Sequence, residues 1–89
     1  MGNQEDEEIF TEKARKIVFK EVEGVIDTTF DKVRVVWFSK TLQNWKAIVA
    51  ILEPNGYLFE VTYNGKKKET YIDSYRKYDN VRIRDMESN

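Results

Sequence analysis

The chain of 89 residues has no cysteine and no histidine. Without cysteine there is no disulfide and no thiolate metal site. Without histidine the commonest general base, the commonest metal ligand and the usual sensor of near-neutral pH are missing. Glycine is scarce, with four residues, and none forms a phosphate-cradling loop. Long apolar runs are also lacking. The longest, Ala47–Leu52, falls far short of the roughly 20 residues that span a bilayer. The opening MGNQEDEEIF is acidic and has no apolar segment, so it does not read as a secretory signal. Met1-Gly2 is followed at the sixth position by Asp6, where myristoylation prefers Ser or Thr. These absences lead us to expect a cytoplasmic protein with no membrane association, no cofactor, no metal and no small-molecule substrate.

What is present argues for a folded chain. Residues are 40% hydrophobic and 13% aromatic, too apolar for disorder despite 35% charge. The length fits one domain over 1–89, with 1–4 and 85–89 as loose termini. A chain this short buries only about 60–65% of its unfolded surface, so its core is modest. Charge is uneven along it. Residues 1–31 hold nine acids and four bases, a net −5, and residues 32–89 hold eleven bases and seven acids, a net +4. Such a split describes either an anion-binding face or two halves that complement each other on folding.

From Glu5 the apolar period is helical. Phe10, Ala14, Ile17, Val18 and Val25 lie on one stripe that Ile9 and Val22 widen. Acids crowd the first turn, where the helix dipole favours them, and Gly24 is a natural stop. Asp27–Thr29 reads as loop, with Phe30 as an anchor onto the core. From Val33 the period becomes two. VRVVWFSKTL, WKAIVAIL, YLFEVTY and KKKETYI predict four strands, with turns at Gln43-Asn44, Pro54-Asn55-Gly56 and Asn64-Gly65. Asp73 is placed to cap a short C-terminal helix in which Tyr71, Tyr75 and Tyr78 share a face, and VRIR at 81–84 suits a short edge strand. The fold class is α+β: an N-terminal helix packed on a four-stranded antiparallel meander.

Two-residue turns predict how the strands pair. They place Val35, Trp37, Ile48, Ala50, Phe59, Val61 and Ile72 on one face. Val36, Phe38, Leu42, Trp45, Ala47, Val49 and Leu58 fall on the other. Both faces of the first two strands are then apolar, although one helix covers only one. The second face, centred on Phe38, Trp45 and Val49 and flanked by Leu42, Gln43 and Asn44 at the hairpin tip, is the expected partner interface. Its cover is the C-terminal segment, a second copy or another protein.

Lys66-Lys67-Lys68, near Tyr57, Tyr63 and Tyr71, has the make-up of a nucleic-acid contact, since lysines neutralise phosphate and rings stack on bases. Arg76 and Lys77, with Arg82 and Arg84, extend it. Against this, lysines at a hairpin end also protect a sheet edge, and the isoelectric point is acidic at about 5.5. Ser39-Lys40 does not form a working dyad, because strand neighbours point to opposite faces. Asp73, Asp79 and Asp85 lack the spacing of a paired-carboxylate or metal site. The chain therefore does not read as an enzyme.

Two blocks carry a family resemblance. One is the Trp37 strand running into Lys40-Thr41-Leu42-Gln43-Asn44, then Lys46-Ala47. The other is Thr62-Tyr63-Asn64-Gly65, Lys67-Lys68-Glu69, Tyr71, Asp73 and Tyr75-Arg76-Lys77. Over roughly residues 33–80 they resemble a family of small phage- and prophage-encoded proteins of Gram-positive bacteria, a domain of unknown function. The resemblance implies an accessory protein in a bacterial host cytoplasm that binds host or phage proteins, or nucleic acid. It supplies no catalytic residues. The expected function is a non-catalytic protein-interaction module, with a protein partner or a homodimer. The alternative is nucleic-acid binding through Lys66–Lys68 and the basic C-terminal segment.

Overall fold

The computed structural model describes residues 4–76, with side chains over 6–75. Helix α1 spans Gln4–Val22. A 3-10 turn at Phe30–Lys32 leads into strands β1 (Val33–Thr41), β2 (Asn44–Ile51), β3 (Tyr57–Asn64) and β4 (Glu69–Arg76). The strands form one open antiparallel sheet in the order β1-β2-β3-β4. The α+β class and the helix-then-meander order match the expectation.

Helix α1 lies over β1, β2 and β3. Ala14, Val18 and Val22, spaced by four, are buried, and Phe10 and Ile17 flank them. The helix ends where the N–H groups of Val25 and Ile26 both donate to the Val22 carbonyl at 2.9 Å. Arg15 then ties the helix to the start of the sheet. Its Nε donates to the Val33 carbonyl at 2.5 Å and its Nη2 to the Phe30 carbonyl at 2.8 Å. Its guanidinium also sits 4.0 Å from the centre of the Phe30 ring, a cation–π contact that lysine reproduces poorly.

The faces differ from the sequence expectation, and the turns explain it. The first turn is Leu42-Gln43, one residue earlier than expected, because Thr41 pairs with Asn44. A bulge between Val35 and Trp37 makes Val36 an extra residue and reverses the phase of Val33–Val35, while Trp37–Thr41 keep the face expected for them. The second connection is a five-residue loop, Leu52–Gly56, because Ile51 pairs with Tyr57. That shifts β3 against β2 by an odd number and turns its side chains over. The third loop holds Gly65–Lys68, so β4 starts at Glu69. The shift there is even, and β3 and β4 keep their expected relation.

The buried face thus joins Val33 to Trp45, Ala47, Val49, Ile51, Phe59 and Val61. Five of these seven are aliphatic β-branched residues or alanine, which pack closely on a pleated surface beneath a helix. Trp45 and Val49, expected on an interface, are core residues at 3% and 0% exposure. Phe38 is half-buried against Phe10 and Trp45. The expected helix after Asp73 is corrected as well: Asp73–Arg76 continue β4, pairing with Tyr57–Glu60. Tyr71 and Tyr75 consequently share a strand face. Lys77, Tyr78 and the expected 81–84 strand lie outside the described residues.

Candidate interaction surface

One face of the sheet is turned away from α1. Its layout follows from the register. Across the sheet, Arg34, Ala50, Leu58 and Tyr75 form one row. Trp37, Ile48, Glu60 and Asp73 form the next. Ser39, Lys46, Thr62 and Tyr71 form the third. Trp37, Leu58, Tyr71 and Tyr75 are 48%, 42%, 49% and 54% exposed. Exposed rings grouped on a rigid sheet are the residue types that dominate binding hot spots.

A polar cluster crosses this face. Lys46 pairs with Glu60 at 3.0 Å, and the Tyr75 hydroxyl donates to Glu60 at 3.2 Å. The Lys46 and Tyr75 hydrogen bonds hold the Glu60 carboxyl below the usual glutamate range. By the same bond, the Tyr75 hydroxyl is raised above the usual tyrosine value. The Tyr71 hydroxyl, donating to Glu69, is raised likewise. These rings are thereby oriented on the face before any partner arrives, which lowers the entropy lost on binding.

The two hairpin tips at one end of the sheet meet. The Gly65 N–H donates to Asn44 Oδ1 at 2.9 Å, and a Cβ on Gly65 would lie 2.1 Å from the Gln43 carbonyl oxygen. Asn64 Oδ1 accepts from the N–H groups of Lys66 and Lys67 at 3.0 and 3.2 Å. The structure thus brings together the Gln43-Asn44 tip and the Lys66–Lys68 turn, which are far apart in sequence. All three lysines are exposed, and no ion pair to them occurs among the described residues. Leu42 projects beside them at 85% exposure, with φ +55. That conformation is unusual for leucine.

Of the expected interface residues, Leu42, Gln43 and Asn44 are therefore at the exposed tip, Phe38 is at the rim, and Trp45 and Val49 are beneath the helix. Arg76 ends β4, away from the lysine turn that precedes it, and Lys77 is outside the described residues. The open face escapes sequence reasoning because two-residue turns divide its residues between two faces. Tyr71 and Tyr75 join Trp37 on one face only once the five-residue loop is known. Pro54, which cannot be a ladder donor, is the one sequence signal that the second loop needs more than two residues.

Among the described residues no helix is long and apolar enough to cross a membrane. Nor do three or more acidic side chains among them gather in a group that could hold a metal ion. A family model described as a family of unknown function (DUF6275) matches residues 8–85. The match takes in most of α1 as well as the two blocks that carried the resemblance. No curated protein and no solved structure matches the chain.

Proposed function

Because the chain belongs to the DUF6275 family of unknown function, we propose its role from its surface: a non-catalytic protein-interaction module that contacts its partner through the open sheet face. The exposed grouping of Trp37, Leu58, Tyr71 and Tyr75 carries this reading. Large apolar and aromatic side chains exposed on one sheet face, set around a polar cluster, are a usual mark of a contact surface. The resemblance to phage- and prophage-encoded proteins supports a setting in a bacterial cytoplasm, where the module would modulate a host or phage process. The test is a photo-crosslinking amino acid placed at Trp37 in expressing cells, with one at exposed Lys16 on α1 as control. Crosslinks concentrated at position 37 are expected. Equal yields at the two positions would refute the reading.

A second reading is nucleic-acid binding at the hairpin-tip end. The three exposed lysines beside the Gln43-Asn44 tip favour it. Contact with phosphates predicts affinity that falls steeply with salt. Absence of binding to generic DNA and RNA at low salt removes this reading.

A further inference from the structure

The geometry points to a second copy of this chain as the occupant of the open sheet face, forming a face-to-face dimer with its two-fold axis along the strands. This rests on the interaction reading above and names its partner. The charges of the face are sorted by strand. Its bases, Arg34 and Lys46, lie on β1 and β2, and its acids, Glu60, Glu69 and Asp73, lie on β3 and β4. A two-fold axis along the strands sets β1 against β4 of the other copy and β2 against β3. Lys46 and Glu60 already pair within each copy at 3.0 Å, so the charges left to meet across the contact are Arg34 on one half and Glu69 and Asp73 on the other. An axis across the strands sets like against like and is disfavoured. Arg34 and Asp73 have no ion-pair partner within their own chain among the described residues. They sit one row apart, within reach of each other across such an interface.

The area is consistent with a weak dimer. Eight-residue strands at about 3.3 Å per residue and four strands at about 4.8 Å spacing make a face of about 500 Å². Two copies bury about 1,000 Å², the lower bound for a specific interface. Two stacked sheets prefer an angle of about 30°, which keeps β1 over the other copy's β4.

Sedimentation equilibrium of the full chain tests this. The apparent mass is expected to rise from one chain to two over roughly 1–100 μM, a weak-dimer range. Arg34→Glu and Asp73→Arg should each remain monomeric while keeping the wild-type circular dichroism. Mixed together they should form a heterodimer, because each of the two contacts then pairs an acid with a base again, one of them with its charges exchanged. A single-chain mass at every concentration overturns the proposal, and so does a mixture that stays monomeric. A third arm uses the photoprobe at Trp37 in mixed heavy and light isotope samples. Crosslinks between copies, to β4, support the dimer. Crosslinks within one chain to residues 77–89 overturn it. If the chain stays monomeric and the probe captures a different protein, only the second copy is refuted and the interaction reading stands.

Discussion

Replacing Gly65 by alanine isolates the contact between the two hairpin tips. The φ of Gly65 is not in the left-handed region, so alanine suits its backbone. Space is what forbids it. The new Cβ would lie 2.1 Å from the Gln43 carbonyl oxygen, 2.8 Å from the Gln43 Cβ and 3.0 Å from its carbonyl carbon. Two of these are main-chain atoms held in the turn of the first hairpin. Relief requires the tips to part, which also strains the Gly65 N–H bond to Asn44 Oδ1. Overpacking of this kind costs about 1–3 kcal/mol and loss of the hydrogen bond about 1 kcal/mol. The stiffer unfolded chain returns about 0.4–1 kcal/mol. The net loss is about 2 kcal/mol. In a domain this size each kcal/mol moves Tm by about 4–8 °C, so a fall of about 10 °C is expected. Gly24 is the control. It has φ +80 and no atom within 4 Å of a built Cβ. Gly24→Ala therefore carries only left-handed strain, about 1 kcal/mol. Thermal melts followed by circular dichroism compare the two. Gln43→Ala should not rescue Gly65→Ala, because all three clashing atoms remain. A Gly65→Ala protein that melts at the wild-type temperature, or above Gly24→Ala, refutes the tip contact.

Further outcomes follow from other contacts. Arg15→Lys loses the forked bonds to the Val33 and Phe30 carbonyls and the stacking on Phe30. It should lower stability by about 1–2 kcal/mol in urea, whereas Lys16→Arg on the exposed side changes it by less than about 0.5 kcal/mol. Ile51→Ala, at 2% exposure, should cost about 2–5 kcal/mol, and an equal effect from Ile9→Ala, at 56%, would contradict the packing. Leu42→Asn places a residue tolerant of φ +55 at an exposed tip, so Tm should hold or rise; a clear fall would mean Leu42 packs on something. The folded pKa of Glu60 is depressed, so its contribution is present above the unfolded value and is lost as pH falls through the folded value. Glu60→Gln should flatten that acid limb, and an NMR midpoint for Glu60 at or above an ordinary glutamate counts against the Lys46 and Tyr75 bonds. For Tyr75 the folded pKa is raised, so its contribution is lost only as pH rises through that value.

Much of the architecture was legible in the residues themselves. The four-residue spacing of Ala14, Val18 and Val22 specifies one helix face, and the alternation in WKAIVAIL and YLFEVTY specifies strands, because each pattern reflects the local geometry of its own segment. The missing histidine and cysteine, and the family resemblance at residues 33–80, also needed no coordinates. Apolar residues on both sides of the sheet were legible too. Which residues lie on which side was decided by the tertiary structure. One extra residue at Val36 reverses the start of β1, a loop from Leu52 to Gly56 reverses β3 and β4 against β2, and a side-chain period of two turns each such slip into a change of face. The loop reversal joined Phe59 and Val61 to Trp45 and Val49 on the helix side, and Tyr71 and Tyr75 to Trp37 on the open side. The core chose this register because it gathers the closely packing residues Ala47, Val49, Ile51 and Val61 beneath α1. No local pattern records that choice, since it depends on strands, bulge and helix meeting at once.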